Sequence, residues 1–234
     1  MDANDMVYKK LIGKSLLINK IHKNTSEVFL ELKSEVAEIT RNFKNRLDSD
    51  GVELNFEFND KEDHEIELVF STDMLVFSMH TNVFEFSRVH EVKKTPYIVS
   101  DPERSFCGLI TIFNFLSDSY RLNRSNDAGF LVARVFVNKD KFFLVEGKHQ
   151  TGFYYNQFMP APISKNDLRQ IIESAMSYCI DFDLLVPPYD LVKETTVGSI
   201  LENSFSNKMK TSKRMGFKFQ ADHDQQKNGE ISRS

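Results

Sequence analysis

Apolar residues recur at helical intervals through the opening of the chain. Val28, Leu32, Val36, Ile39, Phe43 and Leu47 fall four, four, three, four and four apart, which makes one stripe on a helix. Upstream, Val7, Leu11, Ile18 and Ile21 carry a comparable stripe, weakened by Gly13. A helical segment over 5–47 follows. Thr25 or Ser26 can cap a second part of it, with Glu27 and Glu31 near that part's positive end. A strict apolar heptad fails at Thr25, Glu35 and Asn42, so packing on a sheet is expected rather than an autonomous coiled coil. The surplus stripe on so long a helix leaves a homodimer through this helix as a partner reading.

The period then changes to two. Asp48-Ser49-Asp50-Gly51 ends the helix, and Val52, Leu54, Phe56 and Phe58 alternate with Glu53, Asn55 and Glu57. A second alternating strand carries Ile66, Leu68 and Phe70, a third runs from Met74 to His80, and a fourth covers Val83 to Val89. Tyr97-Ile98-Val99 is expected as a short closing strand. No connection in this stretch is long enough for a helical crossover, so the sheet is expected to be antiparallel. Ser100-Asp101-Pro102-Glu103 is a helix-start signal, and Phe106, Ile110, Phe113, Leu116 and Tyr120 follow at helical spacing. The β-branched run Ile110-Thr111-Ile112 keeps a strand as the alternative.

Gly129 to His149 reads as a β-hairpin about the polar turn Asn138-Lys139-Asp140-Lys141. A two-residue turn there sets Ala133 opposite Glu146 and Arg134 opposite Val145. Both faces of the hairpin are apolar, so it belongs at the centre of the sheet. Thr151 to Met159 is expected as a third strand of this group. Ser164 to Asp167 caps a helix running to about Asp181, with Leu168, Ile171, Ile172, Ala175, Met176 and Cys179 inward. A short strand over 182–186 and a last helix within 190–204 complete the pattern.

Composition narrows this little. The 234 residues are 41% hydrophobic and 27% charged, ordinary values for a globular domain. Phe is abundant (21) and Trp absent, so Phe must dominate the packing. The net charge of −4 is too mild to decide for or against nucleic acid. No apolar run approaches the ~18 residues of a membrane span. The opening MDANDMVYKK lacks the order of a signal peptide, and Cys107 and Cys179 have no metal-type spacing. A cytoplasmic protein with reduced thiols is expected, with no cofactor.

Several constellations are candidates for chemistry. Glu146-Gly147-Lys148 has the spacing that in some metal-dependent nucleases supplies a metal ligand and a catalytic lysine. Asp140 lies about 20 Å along the strand from Glu146, so the second metal-binding acid must come from elsewhere. Arg134, alone in apolar surroundings, needs an acid or an anion. Glu173 or Asp181 are the expected partners, and a small anionic ligand is the sharper reading. Keeping both apolar strand faces together sets Glu57 opposite Glu67 in an acidic patch with Glu53 and Glu65, either a solvated face or a surface for a basic partner or cation. Tyr154 and Tyr155 lie in an aromatic strand suited to an interface. Lys213 and Arg214, with Phe217 and Phe219, mark a basic tail suited to an acidic protein surface or, less favoured, to nucleic acid. No P-loop, dinucleotide fingerprint, hydrolase elbow or local histidine cluster occurs, so no catalytic or metal residue is assigned.

The chain therefore reads as α+β: an antiparallel sheet flanked by helices, with a long N-terminal helix. One domain spans 1–205, and 206–234 is a basic, then polar tail expected to be disordered. GAF- and PAS-like sensor domains share this layout, an analogy of architecture that carries no function. The expected function is a non-enzymatic binding or interaction module with a protein partner. The alternatives are a phosphate-handling enzyme using Glu146 and Lys148, and a sensor of a small anion near Arg134.

Overall fold

A computed structural model describes residues 2–125, 127–147, 157–183, 186 and 188–198. It has the expected α+β architecture. The first element is a single helix, α1 (Ala3–Asp50), unbroken at Thr25 and Ser26. At 1.5 Å per residue it is roughly 72 Å long. Thr25 is an interior residue whose hydroxyl donates to the Ile21 carbonyl, 2.8 Å away. Gly51 ends the helix in the left-handed region at φ 66°, and Val52 N–H returns to the Leu47 carbonyl. Only a residue without a Cβ adopts that turn cheaply.

The sheet comprises β1 (Phe56–Glu62), β2 (Glu65–Phe70), β3 (Asp73–Met79), β4 (Phe84–Glu85), β5 (Phe106–Leu116), β6 (Phe130–Asn138) and β7 (Phe143–Gly147). Its order is β1-β2-β3-β5-β6-β7, with β4 paired to β5, and every pairing is antiparallel. Between β4 and β5 lie a 3₁₀ turn (Glu91–Lys94), a one-turn helix α2 (Pro96–Val99) and a second 3₁₀ turn (Pro102–Ser105). α3 (Ser117–Arg121) follows β5, α4 (Lys165–Ile180) follows the hairpin, and α5 (Tyr189–Val192) is the last helix described.

Two layers bury the sheet. α1 and α4 cover one face, where Val28, Leu32, Val36 and Ile39 meet Leu68, Phe77, Ile112, Val135, Val145, Leu168 and Ile172. On the other face the 86–105 segment and Phe158 cover Cys107, Phe136 and Leu144, while Val69, Met74 and Val76 pack with Phe115. The expected capping box of α4 is present: Ser164 and Asp167 exchange side-chain and backbone bonds. Every inward residue expected of that helix is buried.

Several expectations are corrected. Residues 106–116 form the central strand β5, not a helix; the Asp101-Pro102 start signal opens only the one-turn 3₁₀ helix, where Asp101 accepts from Glu103 N–H. A strand covered on both faces is apolar at nearly every position, so a helical spacing appears within it by coincidence. Residues 97–99 belong to α2, and the fourth strand shrinks to Phe84–Glu85. The first strand begins at Phe56, leaving Val52 and Leu54 exposed. Its register differs by two residues from the expected one: Glu57 faces Val69, and Asn59 faces Glu67. Glu67 is buried, bound by Asn59 Nδ2 at 3.3 Å and Lys61 Nζ at 3.3 Å. It is not part of a bare acidic row. Phe182 and Asp183 are not in a strand, and most of 151–159, 184–185 and 199–205 lies outside the described residues.

Tyr178, buried on α4 against Phe182, makes the fold sensitive to alkali. Burial, aided by the neighbouring Cys179, pushes its phenol up to about 12 from an ordinary value of 10.0. The stability tied to the neutral phenol is present below pH 10 and is lost as pH rises toward 12, because only the unfolded chain ionises in that window. A loss of about 2 to 3 kcal/mol is expected. Urea unfolding at stepped pH measures it, and in Tyr178→Phe the drop between pH 10 and 12 should shrink by that amount.

Candidate functional site

The hairpin that carries Arg134 and Glu146 has a different tip from the expected one. Lys141 sits at φ 58° and Asn138 N–H bonds the Phe142 carbonyl, which makes a three-residue loop of Lys139, Asp140 and Lys141. The Asn138 side-chain oxygen accepts from Asp140 and Phe142 N–H and holds the loop. The extra residue moves β7 by one place, so Arg134 faces Glu146 rather than Val145.

Arg134 and Glu146 form an ion pair directly across the strands. The expected partners Glu173 and Asp181 are not the ones used. The other Glu146 oxygen faces His90 Nε2 at 3.4 Å, while His90 Nδ1 accepts from Val92 N–H. The Arg134 guanidinium lies over the Phe136 ring, and its side chain is 43% exposed. Arg134 is thus a half-solvated residue with a carboxylate beside it. Its place on the sheet face opposite α1 and α4 removes the need for a buried counterion. Lys148 lies outside the described residues, as do Tyr154, Tyr155, Lys213, Arg214, Phe217 and Phe219. Among the described residues no three His, Cys, Asp or Glu side chains gather as a metal site, and no helix is long and apolar enough to cross a membrane.

The hairpin tip is clamped by charge. Lys139 Nζ reaches Asp101 at 2.7 Å and Glu103 at 2.6 Å, and Arg104 Nε reaches Asp140 at 2.9 Å. The bond from Lys139 holds Asp101 below the usual carboxylate range. Tyr97 stacks on Phe142 and accepts from Asn138 Nδ2. These partners satisfy one another, so the cluster positions the loop and leaves no open chemistry.

Two apolar surfaces stand out among the described residues. The first is a groove of about 850 Å³ between the C-terminal ends of α1 and α4 and the ends of the strands, within the size range of ligand sites. Phe43, Leu47, Phe56, Met176, Ile180 and Phe182 form its walls. Phe43 stacks on Phe56 with ring centroids 5.0 Å apart, and Ile180 is 62% exposed on the rim. The expected stripe of α1 thus leaves the core at Phe43. The signal that missed this groove is its composition: it joins residues from five distant segments, each ordinary by itself.

The second surface is the N-terminal part of α1. Leu17 and Ile21 are buried, whereas Val7 is 64% and Leu11 61% exposed. The change occurs where Lys14 extends over the Phe106 ring, 3.4 Å from its centre, at the start of β5. Beyond that lip every position from Asp2 to Lys14 is exposed.

Comparison with protein-family models, with curated proteins and with solved structures finds no match to this chain. The functional reading therefore rests on the geometry and the sequence.

Proposed function

We propose that the protein is a non-enzymatic interaction module that binds a helical segment of a protein partner along the outer part of α1. One observation carries this reading. The α1 positions 7, 11, 14, 18, 21, 25, 28, 32, 35 and 39, spaced alternately four and three, form one continuous seam. From Ile21 to Ile39 the domain covers that seam, and its polar members are answered within the fold: Thr25 sits on Gly108, and Glu35 meets Arg169 at 3.5 Å. Outward of Lys14 the same seam continues as Leu11 and Val7, flanked by Tyr8 and Ile12, all exposed. An unsupported helix of this length is marginal in water, and a partner helix on the seam stabilises it while burying the stripe.

Charge selects the partner's character. Between Asp2 and Lys23 the chain carries Lys9, Lys10, Lys14, Lys20 and Lys23 against Asp2 and Asp5. Two copies paired on this seam oppose lysine to lysine, so a partner with acidic flanks is favoured over a homodimer. Affinity capture from cells with the tagged full chain tests the reading in matched variants. A specific co-purifying protein should be lost with Leu11→Glu and retained with Leu16→Glu, the same change at an exposed residue on the opposite side of the helix, at unchanged melting temperature. Retention in both, or loss in both, counts against it.

A further inference from the structure

The groove between α1 and α4 has a chemistry that points to its occupant. Its walls are apolar, and its charged lining residues are Asp73, Glu173 and Asp183, all acidic. Asp73 is held by Asn114 Nδ2 at 3.0 Å, while Glu173 and Asp183 stand exposed on the rim. Among the described residues no Lys, Arg or His lines it. The fitting occupant alternates large apolar side chains with cations and contains no acid.

Met6 to Ser26 also fits that description but is fixed in α1; outside that helix the chain holds one such segment. Lys208 to Phe219, KMKTSKRMGFKF, has five cations, no carboxylate, and Met209, Met215, Phe217 and Phe219 among them. It lies outside the described residues. We propose that this segment docks in the groove of its own chain, with Phe217 and Phe219 against the wall of Met176 and Ile180, and lysines toward Glu173 and Asp183.

Tether length permits this. Lys208 follows the rim residue Asp183 by 25 positions (208 minus 183). Tyr189–Val192 within that stretch form one helical turn, and the chain on either side of it can span up to about 3.3 Å per residue, which is long enough to return to the groove. A short tether holds the segment near the groove at an effective concentration on the order of millimolar, so a modest intrinsic affinity suffices. Docking buries the exposed walls of the groove and pairs the rim acids with cations.

The absence of Trp allows a direct test. Phe217→Trp in the full chain places a single indole on the segment, with Phe219→Trp as a second reporter. Both should emit at short wavelength, unchanged on dilution. Adding Ile180→Lys or Glu173→Lys should move the emission to that of hydrated indole, with the far-ultraviolet circular dichroism of the folded domain unchanged because both positions are exposed. Three results would overturn the proposal. One is hydrated emission from both reporters, which leaves the groove open for another occupant. Another is short-wavelength emission indifferent to both groove substitutions. The last is an emission that reddens on dilution, which assigns the segment to the groove of a second copy.

Discussion

Phe77→Ala is expected to destabilise the protein by about 3 to 5 kcal/mol. Phe77 is fully buried in β3, pairs with Ile66 and Ile112 on its neighbours, and lies in the cluster under α1 and α4. Truncation removes a ring from the middle of a sheet covered on both sides. Neighbours there are themselves fixed by strand pairing, so the cavity closes poorly. Total stability of a domain is of order 5 to 15 kcal/mol, so the variant is expected to be partly unfolded at modest urea. A urea midpoint unchanged within error would mean that the helices do not pack on this face.

Gly108→Ala is the second large effect, and it acts through crowding. A Cβ at Gly108 would stand 2.0 Å from Thr25 Oγ1, 2.7 Å from its Cβ and 2.8 Å from its Cγ2. None of these is the free end of a long side chain. The helix must lift from β5, at an expected cost of about 3 kcal/mol. Thr25→Ala removes two of the three clashing atoms, so the double variant should recover part of the loss. Comparing the single and double variants gives that coupling directly. Strict additivity would contradict the packing of α1 on β5.

The same contact explains what could be read from the chain and what could not. The stripe of α1 as far as Ile39, the Gly51 stop, the positions of β2 and β3 and the Ser164–Asp167 capping box are local signals, and the fold honours each of them. β5 was hidden because burial on two faces erases alternation. Ile110-Thr111-Ile112 was the better guide there, since β-branched residues fit a strand more easily than a helix interior. The partner of Arg134 depended on one residue in the hairpin loop. Lys141 takes a left-handed conformation that glycine or asparagine ordinarily advertises, so nothing in its identity announced the shift.

The candidate surfaces divide in the same way. The free end of the α1 seam was legible, because Val7, Leu11 and Ile18 repeat the pattern of the buried part. That those residues face solvent depends on where β5 begins, which no local pattern specifies. The groove was not legible at all. It depends on α1 and α4 ending at the same edge of the sheet, and on Phe43 reaching Phe56 rather than the core.

Binding of a partner helix on the outer seam of α1 is the proposed function. Site-specific photo-crosslinking in cells tests it most directly, with the photoreactive residue placed at Leu11 or, separately, at Lys9. These positions lie two residues apart and so ~200° around the helix, on nearly opposite sides. A discrete adduct from position 11 and none from position 9 is the predicted result. Equal adducts from both positions, or none from position 11, would contradict the claim.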